Sequence, residues 1–171
     1  MTILEEWRRT RANTKREDFI SLHPYAFLIS ATGAGGATAN KPMQAVKPTE
    51  FRTVTHKEYL QKAEAPSLEL PLILPLKKGE GRPFPERISV GRATNCDVVI
   101  RDASISKLHG HFRDVTAETA FFTDAKSSNG TRLNGTLVAP GVATEIRQNM
   151  LLSFGRVQLM FMSPSDVYDW L

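Results

Sequence analysis

The sequence predicts a β-sandwich closed by a short C-terminal helix and preceded by a small helix-rich extension. Three observations predict it. From Leu68 onward, short apolar runs recur at spacings of roughly 8 to 12 residues between turn-forming residues, as in all-β sandwiches. In the first 65 residues a Thr instead stands three positions before a Glu three times, the spacing of a helix capping box. At the end, Ser163-Pro164 restores a helical pattern. A chain of 171 residues with 41% apolar side chains supports one principal core with a smaller attachment. We therefore divide it into an accessory segment, 1–65, and a sandwich domain, 66–171.

In chain order, Thr2/Glu5, Thr14/Glu17 and Thr55/Glu58 each open a short helix. The second runs toward Leu22 and stops before Pro24, and the third carries Tyr59, Leu60 and Ala63 and ends before Pro66. Between the first two helices and the third, Tyr25 to Ile29 reads as a strand. Ala31 to Asn40 is small and glycine-rich and reads as a surface loop, since it lacks the Gly-Lys-Ser/Thr ending of a phosphate-binding loop. Strands are then expected at Leu72–Leu76, Arg87–Val90, Asp97–Ile100, Leu108–Phe112, Ala120–Thr123, Leu151–Phe154 and Val157–Met162. Lys77 to Pro83, Ser127 to Gly130, Asn134-Gly135 and Gly155 supply the reversals. In the last helix Ser163 caps, Pro164 takes the first position, Asp166 completes the box, and Val167, Tyr168, Trp170 and Leu171 offer an apolar face that docks on the sandwich.

Composition narrows the function classes. The net charge is +4, with 10 Lys/Arg against 7 Asp/Glu in residues 1–65. The densest basic patch, Arg8 to Arg16, is flanked by Glu5, Glu6, Glu17 and Asp18 and reads as a solvated helix face, so no nucleic-acid partner is expected. A single cysteine, Cys96, allows no disulfide framework and is expected to be buried. His109 and His111 alternate on a strand without a third ligand, so no metal and no cofactor is expected. No apolar stretch approaches the about 20 residues of a spanning helix, and the N-terminus lacks a secretory apolar region. A cytoplasmic protein with no membrane partner is the expectation. His23 and His56 are the neutral-pH bases of the first 65 residues, with no nucleophile motif beside them, so the chain is not expected to be an enzyme.

Three stretches at expected strand ends carry the polar residues that stand out. They are Gly91-Arg92 leading to Asp97-Val-Val-Ile100; Ser104-Ile-Ser106-Lys107-Leu-His109; and Ser127-Ser128-Asn129-Gly130-Thr131 with Asn134-Gly135. Loops from different strands of a sandwich cluster at one rim, where they can converge on a ligand. The ordered set resembles the motifs of the forkhead-associated (FHA) domain, over about residues 68–165, and residues 1–65 lie outside the resemblance. It implies a sandwich of about eleven strands whose loops at one end bind a phosphothreonine peptide.

Position by position, the resemblance implies that Arg92 meets the phosphate with its fork of donors, that Ser106 holds the same group, and that Lys107 adds a point charge. Ser128 matches a hydroxyl that reaches the phosphate, and Asn129 the amide that holds the peptide main chain. Gly91 and Gly130 read as backbone-geometry residues, and His109 and Asn134 as loop-bracing residues. The function expected is a phosphothreonine-peptide adaptor downstream of a Ser/Thr kinase; the alternative is a phospho-independent scaffold on the same fold. Residues 1–65, with Trp7, Phe19, Tyr25, Phe27, Leu28 and Phe51, are expected to pack on the sandwich away from the Arg92 rim and to be dispensable for recognition.

Overall fold

The structure is a computed structural model that describes residues 2–30 and 71–171. Helix α1 (Ile3–Ala12) starts at a complete capping box: Thr2 Oγ1 accepts the Glu5 amide at 3.3 Å, and Glu5 Oε2 accepts the Thr2 amide at 2.7 Å. Two amides that the helix cannot pair internally are thereby satisfied. Helix α2 (Arg16–Leu22) ends before Pro24, but Thr14 does not cap it. Its N-cap is Lys15, with no side-chain bond. Thr14 is used differently: its amide donates to the Arg11 carbonyl at 3.3 Å and its own carbonyl accepts from the Tyr168 hydroxyl at 3.1 Å. It closes α1 and ties it to the C-terminus. The helix expected from Thr55 and the loop expected at Ala31 to Asn40 lie outside the described residues.

The described residues form eleven strands: β1 (Phe27–Ser30), β2 (Ile73–Pro75), β3 (Ile88–Gly91), β4 (Val98–Val99), β5 (Gly110–Arg113), β6 (Thr119–Asp124), β7 (Thr131–Leu133), β8 (Thr136–Leu137), β9 (Thr144–Arg147), β10 (Leu151–Phe154) and β11 (Val157–Met162). One sheet runs β2-β1-β11-β10-β7-β8 and the other β4-β3-β5-β6-β9. Pairing is antiparallel except between β3 and β4. Every apolar run from Leu72 onward found its strand, whereas β7, β8 and β9 lack a comparable run.

Alternation along the strands fills the space between the sheets. Val90, Phe112, Ala120, Phe122 and Ile146 of one sheet face Leu28, Leu152, Phe154, Leu159 and Phe161 of the other. At roughly 1.5–3 kcal/mol per fully buried large apolar side chain, this layer drives the fold. A second cluster lies on the outer face of the six-stranded sheet. Here Phe27 and Ile29 of β1, Ile73 of β2, Phe19 of α2 and Val167 of α3 (Pro164–Trp170) are buried together, with Leu4, Trp7, Tyr25 and Tyr168 packed around them. Helix α3 begins where expected: Ser163 Oγ accepts the Asp166 amide at 3.1 Å, and Pro164 takes the first turn.

Strand β1 changes the reading of the N-terminal segment. All four of its residues are buried, and it pairs with β11 (Phe27↔Met162) on one side and β2 (Phe27↔Pro75) on the other. The boundary drawn at residue 65 therefore cuts through a shared sheet: α1 and α2 pack on the sandwich, while β1 is part of it. The register also fixes which end the helices cover. Met162, at the end of β11, precedes α3, whereas Val157, at its start, adjoins the turn facing the Ser104 loop. Helices and loops thus occupy opposite ends. No described helix is long and apolar enough to cross a membrane.

Candidate functional site

Three loops meet at the end of the sandwich away from the helices, and backbone bonds hold them together. The loop after β3 is tied to the one before β5: the Arg92 amide donates to the Ser106 carbonyl at 3.0 Å and the Ala93 amide to the Lys107 carbonyl at 3.2 Å. The approach is so close that a β-carbon on Gly91 would lie 2.2 Å from the Lys107 oxygen, and only glycine fits there. The loop before β5 is tied in turn to the one before β7: the Ser128 amide donates to Ser106 Oγ at 3.0 Å, and the Asn129 side-chain amide to the Ser104 carbonyl at 2.8 Å. Arg92, Ser106, Lys107, Ser128 and Asn129 are thereby brought to one rim. Asn129 spends one side-chain donor on the Ser104 loop, keeping its oxygen and a second N–H for other partners. Among the described residues, the side chains of Arg92 and Lys107, both exposed, make no hydrogen bond or ion pair.

Beneath the rim, buried polar groups act as braces. His109 is fully buried; its Nδ1 accepts the Ser106 amide at 3.2 Å, and Nε2 lies 3.8 Å from Asp124 Oδ2, too far for a hydrogen bond. Burial pushes its pKa below the ordinary 6.5, outweighing the nearby Asp124 carboxylate, so the ring is neutral at physiological pH. With Nδ1 engaged and no exposure, it is not available as a catalytic base. Asp124 accepts from the Ser127 amide at 2.8 Å, Ser127 Oγ at 2.8 Å and Thr131 Oγ1 at 2.6 Å, fixing the start and end of the third loop. Asp102 accepts from Ser104 twice, and Arg156 Nε reaches its Oδ2 at 2.8 Å. Asp97 joins Ser89, Gly79 and Lys78, pinning the 77–87 connection to β3. Burial alone would raise these three carboxylates, but their hydrogen bonds prevail and hold all three below the ordinary 3.8. Gly130 sits at φ 71° and Asn134 at φ 48°, the left-handed region; Asn134 Oδ1 accepts the Leu151 amide at 2.8 Å, linking the β7–β8 turn to β10.

What results is a rigid base carrying two free cations and two hydroxyls on open loops. Such a surface can neutralise a small multivalent anion by charge-assisted hydrogen bonds without an enclosed pocket. A shallow cleft of about 430 Å³, lined by Arg11, Asn13, Lys15 and Tyr168, lies instead among the helices at the opposite end.

Residues 88–155, from β3 through β10, match the family model described as the FHA domain. The chain carries an FHA domain. The matched stretch leaves out β1, β2, β11 and the three described helices, so the described sandwich is completed by strands on both sides of the match. No curated protein matches the chain in sequence. Among solved structures, it is similar to Mycobacterium tuberculosis EmbR in complex with a low-affinity phosphopeptide, at 20% identity and a TM-score of 0.41 over 48% of this chain and 21% of that one. It is also similar to the FHA domain of CT664 from Chlamydia trachomatis, at 18% identity and a TM-score of 0.46 over 57% of this chain and 90% of that one. A third is the MEK1 FHA domain in complex with a phosphothreonine peptide of HOP1, at 24% identity and a TM-score of 0.42 over 54% of this chain and 88% of that one. EmbR is much the longer protein, and the similarity concerns about a fifth of it.

Asp102, Asp124 and Arg156 are loop-bracing residues that sequence reasoning missed. For the two aspartates the one local signal is a Ser two or three residues later, the spacing that lets Asp bond the following backbone, and Arg156 has none.

Proposed function

We propose that this FHA domain binds phosphothreonine peptides and acts as an adaptor that reads a Ser/Thr kinase product. The observation that carries the reading is the hydrogen-bonded chain from Arg92 through Ser106 to Ser128. It fixes two hydroxyls side by side and leaves the guanidinium of Arg92 and the ammonium of Lys107 unpaired at the same rim. Arg92 supplies a planar fork for two phosphate oxygens, Lys107 a mobile point charge, and Ser106 and Ser128 short neutral donors. Asn129 takes the peptide main chain with the donor and acceptor it has left. A dianionic phosphate of about −1.5 to −2 charge is what such a group matches. The partner is then a phosphoprotein of the cytoplasm, and binding, not catalysis, is the activity.

The test is a binding scan with matched phosphorylated and unphosphorylated threonine peptides, with phosphoserine versions alongside. The proposal expects binding only with phosphate, and phosphothreonine ahead of phosphoserine. Equal binding of phosphorylated and unphosphorylated peptides would instead establish the phospho-independent scaffold.

A further inference from the structure

Among the described residues, Phe19, Phe27, Phe112, Phe122, Phe154 and Phe161 are fully buried, whereas Phe84 is 63% and Phe121 39% exposed. Phe84 is held outward under strain. Its φ is 57°, the left-handed region that a bulky side chain avoids, and it stands before Pro85, where an extended φ of about −120° is the rule. Such a geometry persists only where the surroundings impose it. Here Lys78 Nζ donates to the Pro83 and Arg87 carbonyls, both at 2.7 Å, and to the buried Asp97 carboxylate at 3.0 Å, while the Arg87 amide donates to the Phe84 carbonyl at 3.0 Å. The ring is clamped from both sides and left in water, where it adds nothing to the core.

The same ring opens a row on the outer face of the five-stranded sheet. Arg87 lies over it, 5.9 Å from its centroid. The register Ile88↔Phe112 carries Arg87 to the side of Arg113, and Arg113 pairs with Phe121. Phe112 and Phe122 point into the core, so Arg113 and Phe121 point out. The helices pack on the other sheet. Glu86 is taken by Arg87 at 3.2 Å and Glu145, opposite Phe121, by Arg147 at 2.9 Å, but Arg113 is exposed and makes no hydrogen bond or ion pair among the described residues. Arg87 and Arg92 flank β3, roughly 16 Å apart along the strand, so the row is clear of the phosphate rim.

We propose that this row is a second docking surface, independent of phosphate, for a protein segment that carries apolar side chains among carboxylates. Exposed aromatic and arginine side chains already fixed in place suit an interface, because little freedom is lost on binding. An apolar side chain takes the Phe84 and Phe121 rings out of water, and a carboxylate meets Arg113 with two parallel bonds. A second copy of this chain fits worse, since the same face turned on itself sets Arg87 and Arg113 against their equals.

The test titrates the full chain with unphosphorylated peptides of about ten residues, roughly 33 Å when extended, built from Leu, Phe, Asp and Ser, and with a second set in which Lys replaces Asp. The acidic set should bind at least about tenfold more tightly. Phe84→Gly should cost that gain while the melting midpoint holds or rises, because glycine adopts φ 57° without strain. Arg113→Glu should abolish the preference for Asp over Lys, and affinity for phosphothreonine peptides should be unaltered in both variants. Equal binding of the two sets, undiminished binding by Phe84→Gly, or a midpoint lowered by Phe84→Gly overturns the inference. So does a dimer that appears with rising concentration in sedimentation and is lost in Phe84→Gly, which would make a second copy the occupant. Both peptide sets lack phosphate, so the phosphothreonine reading stands or falls separately.

Discussion

The two ends of this sandwich are held together by different physics. At the helical end, Trp7, Phe19, His23, Tyr25, Phe27 and Tyr168 stack with ring centroids 4.6–6.2 Å apart, and stability comes from area taken out of water. At the loop end, buried carboxylates gather amides and hydroxyls from nearby turns and, for Asp102, the guanidinium of Arg156 from 54 positions away, and the groups left exposed include cations and serines. The first arrangement tolerates a poor hydrogen bond but not a missing ring. The second tolerates loss of an exposed side chain but not of a buried acceptor, whose donors would be stranded. Stability and recognition should therefore separate along the long axis of the molecule, and substitutions can break that separation or sharpen it.

The largest effect expected is from removing the N-terminus. A chain starting at Pro66 loses β1, hence Phe27, Leu28 and Ile29 from two cores and the pairing partner of both β2 and β11. At about 2–5 kcal/mol for each large side chain against a total stability of about 5–15 kcal/mol, it should not fold. Circular dichroism should show no cooperative melt, and phosphopeptide binding should vanish with it. On this account the segment should not be dispensable for recognition, whereas composition leads one to expect that it is. Next, Phe19→Ala should cost about 3–5 kcal/mol by leaving a cavity under the helices, lowering the melting midpoint on the order of 10 °C while phosphopeptide affinity at low temperature holds. Arg92→Ala should do the reverse: affinity falls by about 2 kcal/mol, more than tenfold, and the midpoint stays within about a degree.

Most of the fold was legible in the sequence because its central strands are apolar runs bounded by turn residues. What escaped was physically different. Strand β9 buries only Ile146, and Glu145 and Arg147 face water, as suits the edge of a sheet. Strands β7 and β8 are too short, at three and two residues, to show alternation. For the site, the resemblance supplied the exposed candidates, which lie in local motifs. Asp102 and Asp124 escaped because what buries a carboxylate is its partners, and Arg156 is distant in sequence.

A smaller effect, in pH, separates the two kinds of brace. His109, His111 and His23 are all held below 6.5 by burial, so below that pH the unfolded chain binds protons that the folded chain refuses. Stability should fall with pH from about 6.5 downward. Asp97, Asp102 and Asp124 are held below 3.8; their contribution is complete above that value and is lost as pH falls through their folded pKa values. Urea midpoints between pH 7.5 and 3 should therefore show two separate declines, and Asp124→Asn should shrink the acid one.

The most direct measurement of the central claim is an NMR titration of the whole chain with one phosphothreonine peptide and its unphosphorylated twin. With the phosphopeptide, the amides of residues 92, 106, 107, 128 and 129 should shift, while those of α1, α2 and β1 stay still, and the unphosphorylated twin should move neither set. Shifts centred on the helical end, or the same shifts with both peptides, would contradict the account.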